Sequence, residues 1–307
     1  MRWRRLGRIW APDGTLPWAR SHAMLPTPLL LDDGRLRIYL ACCDDRTVSR
    51  IGWLDVDAAE PARVLRWARE PVLDIGQPGC FDDNGVNPCS VVRLPDGRLR
   101  LYYNGYQLQR QVPYTLFAGV AEADGPDGPF RRVQEVPVLD RAPGERLFRT
   151  APFVTRPAGE AEWSMLYIAG DAFGEAAGRV QPRYGMRRLA SRDGLSWPSR
   201  GEPVLEPAAG ELGFSRPWLH ALPDGTAAMW HAIRTPDRYR IGHATADGQG
   251  GWTRRDDDAG LAGAPGEWDG GMQCYPALHQ AGDATFMFYN GDGYGRTGLG
   301  LAVLEQA

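Results

Sequence analysis

The chain has 307 residues, enough for one large domain or two ordinary ones, and its 43% hydrophobic and 24% charged residues are typical of a globular protein. A formal net charge of −3 and a pI near 6.0 give no general electrostatic reason to expect a nucleic acid polymer or an anionic membrane as partner. No apolar run is long enough to span a bilayer, which takes about 20 residues.

The N-terminal segment MRWRRLGRIWAPDG is basic but is followed by no apolar stretch or small-residue cleavage site, so we expect a cytoplasmic protein. The five cysteines form no CxxC pair and no Cys/His zinc spacing, which favours free thiols in a reducing compartment. His220, His243 and His279 have no partners at metal spacing. The sequence therefore predicts no catalytic metal and no cofactor, and it leaves the oligomeric state open.

Glycine and proline occur along the whole chain, and the 38 Gly and 25 Pro residues favour many tight turns between short strands. No amphipathic helical period continues beyond about two turns, so few helices are expected. The predicted strands are rich in β-branched or aromatic residues or alternate apolar with polar residues. In chain order they include SVVRL, RLRLYYNG, FAGVAEA, WSMLYIAG, MRRLASR, AAMWHAI, YRIGHAT, TFMFYNG and GLGLAVL.

A repeated unit of roughly 60 residues sets the predicted architecture. The tripeptide PVL begins at Pro71, Pro137 and Pro203, at equal intervals, and each copy follows a strand that contains Trp or Phe. A connector, a short motif ending in proline and further strands come after each copy. The motif segments are SHAMLPTPLLL, FDDNGVNPCSVV, FRTAPFVT, GFSRPWLHAL and WDGGMQCYPALH. Units of this length with four antiparallel strands are typical of β-propeller blades.

Five such units fill residues 1–307, so the sequence predicts an all-β protein consisting of a single five-bladed β-propeller with four antiparallel strands per blade. The fifth unit stops after its third strand, GLGLAVL. The N-terminal segment RWRRLGRIW matches the fourth strand of the other units, and we expect it to complete blade five and cover an exposed edge. The entrances to the innermost strands lie near residues 20–28, 81–90, 147–154, 213–219 and 268–278. We expect all five to converge on one central depression, where a small molecule can bind.

These units, with their DG.SW turns and acidic residues at the inner-strand entrances, resemble the five-bladed propeller glycosidases of glycoside hydrolase families 32, 43, 62, 68 and 130. The most specific segments include FDDNGVNPCSVVRLPDGRLRLYYNGY and SRDGLSWPSRGEPVL, and the resemblance covers essentially the whole chain. The chain is similar to a bacterial glycosidase branch related to families 32 and 43. The resemblance implies the propeller fold and, as an activity, cleavage of a glycosidic bond.

Glycosidases of this kind need two carboxyl groups, one as base or nucleophile and one as acid. The resemblance gives these roles to Asp82 or Asp83 in blade two and to Asp269 in blade five, with Glu211 as a candidate proton donor. The sequence departs from the family in blade one, where His22 stands in the segment that is expected to carry a carboxylate. The catalytic candidates are therefore three aspartates, one glutamate and one histidine.

Arginines at the entrances of blades three and four, Arg149 and Arg216, favour an anionic ligand, because a guanidinium group binds carboxylate or phosphate bidentately. The expected partner is an acidic sugar, a sugar phosphate or a nucleotide-linked sugar in a biosynthetic context. Further binding candidates are polar or aromatic residues of the same entrances and of the rim. They are Asn84, Asn104, Tyr106, Asp171, His231, Arg234, Tyr275 and Asn290.

Three functions stay open on the sequence alone. The first is glycoside hydrolysis, the second is a non-hydrolytic elimination, transfer or phosphorolysis with His22 as base, and the third is a catalytically inactive propeller that binds a glycan or a partner protein. Structural roles compete with each: Asp82 and Asp83 could cap the turn before the inner strand, and the arginines could tie blades together. Carboxylates that converge within about 10 Å around an open pocket would favour hydrolysis, whereas a pocket without a free carboxylate would argue against it.

Overall fold

The computed structural model describes residues 1–156, 162–222 and 225–305, and in these ranges the regular structure is almost entirely β-strand, which confirms the predicted all-β class. The strands are β1 (Trp3–Trp10), β2 (Ser21–Leu30), β3 (Arg35–Cys43), β4 (Ser49–Asp57), β5 (Val64–Trp67), β6 (Val86–Arg93), β7 (Leu99–Leu108), β8 (Tyr114–Ala123), β9 (Arg131–Arg132), β10 (Phe148–Thr155), β11 (Trp163–Ala176), β12 (Arg179–Ser191), β13 (Glu202–Leu205), β14 (Gly213–Ala221), β15 (Ala227–Arg234), β16 (Tyr239–Ala246), β17 (Trp252–Arg254), β18 (Cys274–Ala281), β19 (Ala284–Asn290) and β20 (Leu299–Leu304). The helical segments of the described chain are a 3-10 turn at Asp256–Asp258 and a short helix, α1, at Asp292–Gly295.

The strands are arranged in antiparallel groups of four. One sheet has the order β2-β3-β4-β5, and another has the order β1-β20-β19-β18. The strands from β6 to β17 form three antiparallel runs, each of four consecutive strands, and the runs are joined by short parallel contacts of β8 with β10 and of β12 with β14. Each group therefore pairs locally, and few hydrogen bonds join one group to the next.

The core lies between neighbouring groups, because both faces of the central strands are buried. Successive side chains of a strand point to opposite faces. In β7, Leu101 and Tyr103 pack in a cluster with Tyr39 of the preceding group, whereas Tyr102 packs on the other side with Tyr167 of the following group. Face-to-face packing of this kind holds the groups together without a continuous hydrogen-bond ladder.

The two ends of the chain meet in one sheet. Strand β1 pairs antiparallel with β20, from Trp3 opposite Leu304 to Trp10 opposite Leu299. Trp3 is buried and packs edge-to-face on Trp230 of β15, with ring centroids 6.0 Å apart. The N-terminal segment thus covers the β20 edge and reaches the neighbouring group.

The first strands of the groups surround the centre of the molecule. Strand β2 contacts β6, β6 contacts β10, β10 contacts β14, β14 contacts β18, and β18 contacts β2. The segments that lead into these strands therefore come together at one end of the ring. This placement positions the candidate site.

Candidate functional site

A cavity of about 560 Å³ opens where the first strands begin. Six tyrosines contribute to its lining, together with three asparagines, two arginines and one histidine: Tyr106, Tyr114, Tyr184, Tyr239, Tyr275, Tyr294, Asn84, Asn87, Asn104, Arg46, Arg234 and His22. Among the described residues that line it there is no aspartate or glutamate. The volume is within the range of small-molecule sites, and the lining is aromatic and cationic.

A repeated backbone feature shapes the floor of this cavity. In four of the first strands, β2, β10, β14 and β18, one residue has a left-handed backbone conformation. These residues are Leu25, Ala151, Arg216 and Tyr275, with φ values of 53°, 52°, 48° and 56°. A register shift accompanies each of them in the pairing with the second strand. Such bulges re-aim side chains at functional sites and cost backbone strain, so the recurrence marks a common construction at the centre. Three of these residues line the cavity, and Arg216 does not.

Asp82, the first catalytic candidate, lies outside the cavity lining and is completely buried. Its Oδ2 atom accepts hydrogen bonds from the Tyr103 hydroxyl at 2.9 Å and from the Arg132 Nε at 2.8 Å. Tyr103 belongs to the second strand of the group and Arg132 to the fourth. The carboxylate thus joins the segment before β6 to the second and fourth strands of its group. This placement corrects the expectation that Asp82 faces the pocket.

Asp269 has the same arrangement in the β18 group. Its Oδ1 atom accepts from Arg5 Nη1 at 2.7 Å, and its Oδ2 atom accepts from the Tyr289 hydroxyl at 2.8 Å. The side chain is fully buried and does not line the cavity. Because Arg5 lies on β1, this ion pair also fastens the N-terminal strand to the segment before β18.

Glu145 and Glu211 are also held in ion pairs, in the two groups between. Glu145 accepts from the Tyr167 hydroxyl at 2.8 Å and pairs with Arg149 at 2.8 Å. Glu211 pairs with Arg254 at 2.7 Å. Burial alone would raise the pKa of Glu211, but the hydrogen bonds from Arg254 and the Ala208 N–H, together with the charges of Arg254 and Arg240, outweigh it and hold the pKa below its usual range. Glu211 is therefore a buried anion in an ion pair, not a proton donor at the cavity.

Asp83 and Asp171 are half-exposed acids that also lie outside the cavity in which they were expected. Asp83 is half-buried, and its Oδ2 atom accepts from the Gly79 N–H at 2.8 Å, so it caps the turn before β6. Asp171 pairs with Arg146 at 2.6 Å. Neither residue lines the cavity. The turn-capping role considered for the adjacent aspartates applies to Asp83.

The arginines at the entrances are buried instead of facing the cavity. Arg149 is 4% exposed, pairs with Glu145, and donates to the Asp140 carbonyl oxygen at 2.8 Å. Arg216 is completely buried below the cavity floor. Neither lines the cavity, which corrects the expectation that they grip the ligand there.

Arg234 is the predicted arginine that does line the cavity. Its Nη1 donates to the Tyr184 hydroxyl at 3.3 Å, its Nη2 donates to Gln181 Oε1 at 3.2 Å, and its guanidinium carbon lies 5.6 Å from the Tyr239 ring centroid. Tyr184 and Tyr239 are joined through their hydroxyls at 2.8 Å. No carboxylate of the described chain pairs with Arg234. The group is fixed in place and keeps an unbalanced positive charge.

His22 lines the cavity from β2, in the segment for which the resemblance to propeller glycosidases implies a carboxylate. Its Nδ1 atom lies 2.9 Å from the Ser21 hydroxyl, and its φ of 63° is in the left-handed region. Burial, with a smaller contribution from Arg296, lowers the pKa of the imidazole below 6.5. The ring is therefore neutral at pH 7 and can accept a proton.

The remaining binding candidates divide into two sets. Four of them line the cavity from the entrances and the rim: Asn84, Asn104, Tyr106 and Tyr275. Asn290 and His231 are fully buried and do not line it. Asn290 accepts from the Leu25 N–H at 2.9 Å and so joins β19 to β2, while Nε2 of His231 lies 3.6 Å from Asp256.

Several residues of the cavity were missed from the sequence. Tyr114 and Tyr184 lie on third strands, β8 and β12, and Arg46 belongs to the loop between β3 and β4. Aromatic residues near the ends of predicted strands were a signal for the tyrosines, but the sequence did not indicate which of them face inwards. Nothing in the sequence pattern distinguished Arg46 from other surface arginines.

Across residues 1–156, 162–222 and 225–305, no helix has the length and apolar character needed to cross a membrane. In the same ranges, no group of three or more His, Cys, Asp or Glu side chains is arranged to hold a metal ion.

The chain is 36% identical over 306 residues to the uncharacterized protein Rv1502 of Mycobacterium tuberculosis, a match that covers 99% of this chain and 100% of that protein. The chain belongs to the Rv1502 family. No family model matches it. At this identity and coverage, the two proteins are homologous along their whole length.

Solved structures share the fold at low sequence identity. A glycoside hydrolase has a TM-score of 0.72 at 16% identity, with 99% of this chain and 93% of that chain covered. A thermostable family-43 glycoside hydrolase has a TM-score of 0.66 at 13% identity, with 94% and 90% covered. A structure from the family 130 mannoside phosphorylases, some of which are glycoside hydrolases, has a TM-score of 0.70 at 14% identity, with 99% and 93% covered. The fold is that of the propeller-type glycoside hydrolases, as the sequence resemblance implied.

Proposed function

We propose that the protein is a carbohydrate-active enzyme that binds an anionic sugar compound, such as a sugar phosphate or a nucleotide-linked sugar, in the central cavity. The observation that carries the proposal is Arg234, a fixed guanidinium group in the cavity wall with no carboxylate partner in the described chain. Arginine binds phosphate or carboxylate through two parallel hydrogen bonds. The chain contains no lysine, so the cationic side chains available to such an anion are those of arginine and histidine.

The six tyrosines support a sugar-containing ligand. Tyr106 and Tyr114 stack with ring centroids 5.0 Å apart, and Tyr275 and Tyr294 both contact the ring of Tyr239. Aromatic rings offer flat apolar faces, and their hydroxyls offer hydrogen bonds in a fixed direction. Such a lining suits the apolar face and the hydroxyl groups of a pyranose ring. An anionic, activated sugar of this kind is typical of biosynthesis more than of glycan degradation.

The reaction we propose is non-hydrolytic, with His22 as general base. Glycoside hydrolysis by the usual route needs two carboxyl groups about 5–10 Å apart at the scissile bond. The acids proposed for that role, Asp82, Asp269 and Glu211, are held in ion pairs away from the cavity. The neutral imidazole of His22 is suited to take a proton in an elimination, or from an acceptor hydroxyl in a transfer step, and the protonated ring can then give that proton to the leaving group.

We also propose that the antiparallel groups are the blades of a single five-bladed propeller, completed by β1 in the last blade. The contacts around the ring of first strands and the pairing of β1 with β20 support this arrangement. It explains why the five entrance segments share one cavity. A closed scaffold beneath loops from every blade is a common way to build a small-molecule site.

The binding proposal is tested with a panel of neutral sugars, sugar phosphates and nucleotide-linked sugars, measured by thermal shift and calorimetry. Arg234→Gln should weaken binding of the anionic ligand about 10- to 100-fold, because it removes a charge-assisted contact. Arg63→Gln, a change at an exposed arginine outside the cavity, is the matched control and should leave affinity unchanged. Equal affinity for neutral and anionic sugars in the wild type would contradict the proposal.

The reaction proposal is tested on the ligand found in that panel. His22→Gln should retain binding and lose about 10²- to 10⁴-fold in turnover. The alternative is a protein that binds the ligand without converting it, and the ion-paired state of Asp82, Asp269 and Glu211 favours this second candidate. A ligand that binds through Arg234 but yields no product in the wild type would decide for binding alone.

A further inference from the structure

A second unbalanced cation lies at the centre of the molecule, below the cavity. Arg216 is completely buried and extends from β14 to β2, where its Nη2 donates to the Pro26 carbonyl oxygen at 2.6 Å and to the Thr27 hydroxyl at 3.1 Å. Its neighbours Ser215 and Tyr275 line the cavity floor. The guanidinium group therefore crosses the ring of first strands from β14 to β2.

The donors of this guanidinium group are only partly used. Among the described residues, no protein atom accepts a hydrogen bond from Nε or Nη1 of Arg216, although both atoms are buried. Together these two nitrogens carry three N–H donors. A buried donor without an acceptor costs free energy, and the cost is greater when the group is charged.

The charge of Arg216 also has no counterion in the described chain. Arg37, which is equally buried, pairs with Asp55 and Asp127 at 2.7 Å each. For Arg216, burial lowers the pKa to about 10, so the group stays protonated at neutral pH. The nearby Cys89 and Tyr275 cannot compensate, because burial raises the pKa of both and keeps them neutral.

We propose that a small inorganic anion of the size of chloride binds to the free N–H groups of Arg216, beneath the cavity floor. The anion balances the buried positive charge and accepts the unused hydrogen bonds. It thereby stabilises the contact through which Arg216 joins β14 to β2. This site is separate from Arg234 and does not depend on the ligand of the cavity.

The experiment measures thermal unfolding of the full chain as chloride replaces gluconate at constant ionic strength. A specific site should raise the unfolding midpoint of the wild type by about 2–4 °C for each tenfold increase in chloride above its dissociation constant. Arg216→Met should remove this dependence. Arg63→Met, at an exposed arginine, should keep it.

A crystal grown in bromide provides a readout that does not require any variant to fold. The anomalous signal should show one bromide within hydrogen-bond distance of Arg216 Nη1 or Nε. A midpoint that does not respond to chloride, or a water molecule in place of bromide at these atoms, would overturn the proposal. Neither outcome affects the Arg234 experiment, so the failure of one proposal can be told from the failure of the other.

Discussion

The adjacent residues Asp82 and Asp83 have different surroundings although both precede β6. Asp82 is buried between Tyr103 and Arg132, whereas Asp83 caps a turn at the surface. The acid that precedes β18, Asp269, is bound by a tyrosine and an arginine in the same manner as Asp82. This repetition supports a structural role for Asp82, in which it fixes its segment to the sheet.

Asp82→Asn should lower the free energy of unfolding by about 3 kcal/mol, because it leaves the mostly buried Arg132 without its counterion. Urea denaturation measures this change. Asp83→Asn is the matched control and should cost less than about 1 kcal/mol, because Asp83 makes a single bond to a backbone N–H at the surface. Ligand affinity per folded molecule should be unchanged in both variants. If the Asp82→Asn protein were as stable as the wild type but inactive, the structural role would be wrong and Asp82 would be catalytic.

His231 makes stability depend on pH. Burial, followed by repulsion from Arg254, lowers the pKa of His231 to about 3, whereas an unfolded histidine has a pKa of about 6.5. Below pH 6.5 the unfolded chain therefore binds a proton at His231 and the folded chain does not. The contribution of the neutral His231 to stability is fully present above this pH and is lost as the pH falls towards 3.

His231→Phe should reduce the slope of unfolding free energy against pH, between pH 6 and 5, by up to about 1.4 kcal/mol per pH unit. Carboxylates titrate mostly below this window and contribute little to the slope. His220→Phe is the control, since His220 is only half-buried and its pKa is lowered by a weaker version of the same effect. Equal slopes for wild type and His231→Phe would show that His231 is protonated in the folded state.

At the scale of strands, two buried asparagines join neighbouring groups in equivalent ways. Asn104 of β7 accepts from the Ala151 N–H of β10, and Asn290 of β19 accepts from the Leu25 N–H of β2. Both contacts hold a residue in the left-handed region at the ring of first strands. Only Asn104 also lines the cavity.

Asn104→Ala and Asn290→Ala should each destabilise the protein by about 1–3 kcal/mol, since each leaves a buried backbone N–H without an acceptor. Only Asn104→Ala should also change affinity for the cavity ligand. Denaturation and calorimetry on the same two variants separate the effects. A loss of ligand affinity in the folded Asn290→Ala protein would contradict this division.

The strands and their grouping could be predicted from the sequence because the PVL spacing and the alternation of apolar residues are local signals. The orientation of individual side chains could not. Arg216 and Tyr275 occupy corresponding positions on β14 and β18, with the same register shift, yet one is sealed below the floor and the other lines the cavity. A bulge changes which face a side chain points to, and its exact place is set by tertiary contacts. The motifs therefore predicted the location of the cavity more reliably than its lining.

The net charge of the whole chain does not reveal the positive charge at the candidate site. The chain is slightly acidic, with 38 acidic residues against 35 arginines. Many arginines are paired with carboxylates, and these include Arg5, Arg132 and Arg254, which lie on β1, β9 and β17 and pair with buried acids in the segments before first strands. Arg234 in the cavity and Arg216 below it have no such partner in the described chain. Positive charge is thus concentrated at the centre of a protein whose overall charge is negative, which sequence totals cannot show.

The two chain ends pair with each other in one sheet, and we expect the stability of the molecule to depend on this pairing. Deleting residues 1–12 would expose the β20 edge, remove Trp3 from its contact with Trp230 and leave Asp269 buried without Arg5. An exposed edge strand promotes aggregation, and an unpaired buried carboxylate alone costs about 3 kcal/mol. We expect the truncated chain to unfold at a clearly lower temperature and to aggregate.

Circular dichroism and light scattering measure both effects, and a synthetic peptide of residues 1–12 provides the control. Added in excess, this peptide should bind the truncated chain and raise its unfolding midpoint, because it restores the β20 ladder and the ion pair with Asp269. The same peptide with Arg5 replaced by Met should rescue less. If the truncated chain were as stable as the full one, β1 would be an accessory strand, and the proposal that it completes the last blade would fail.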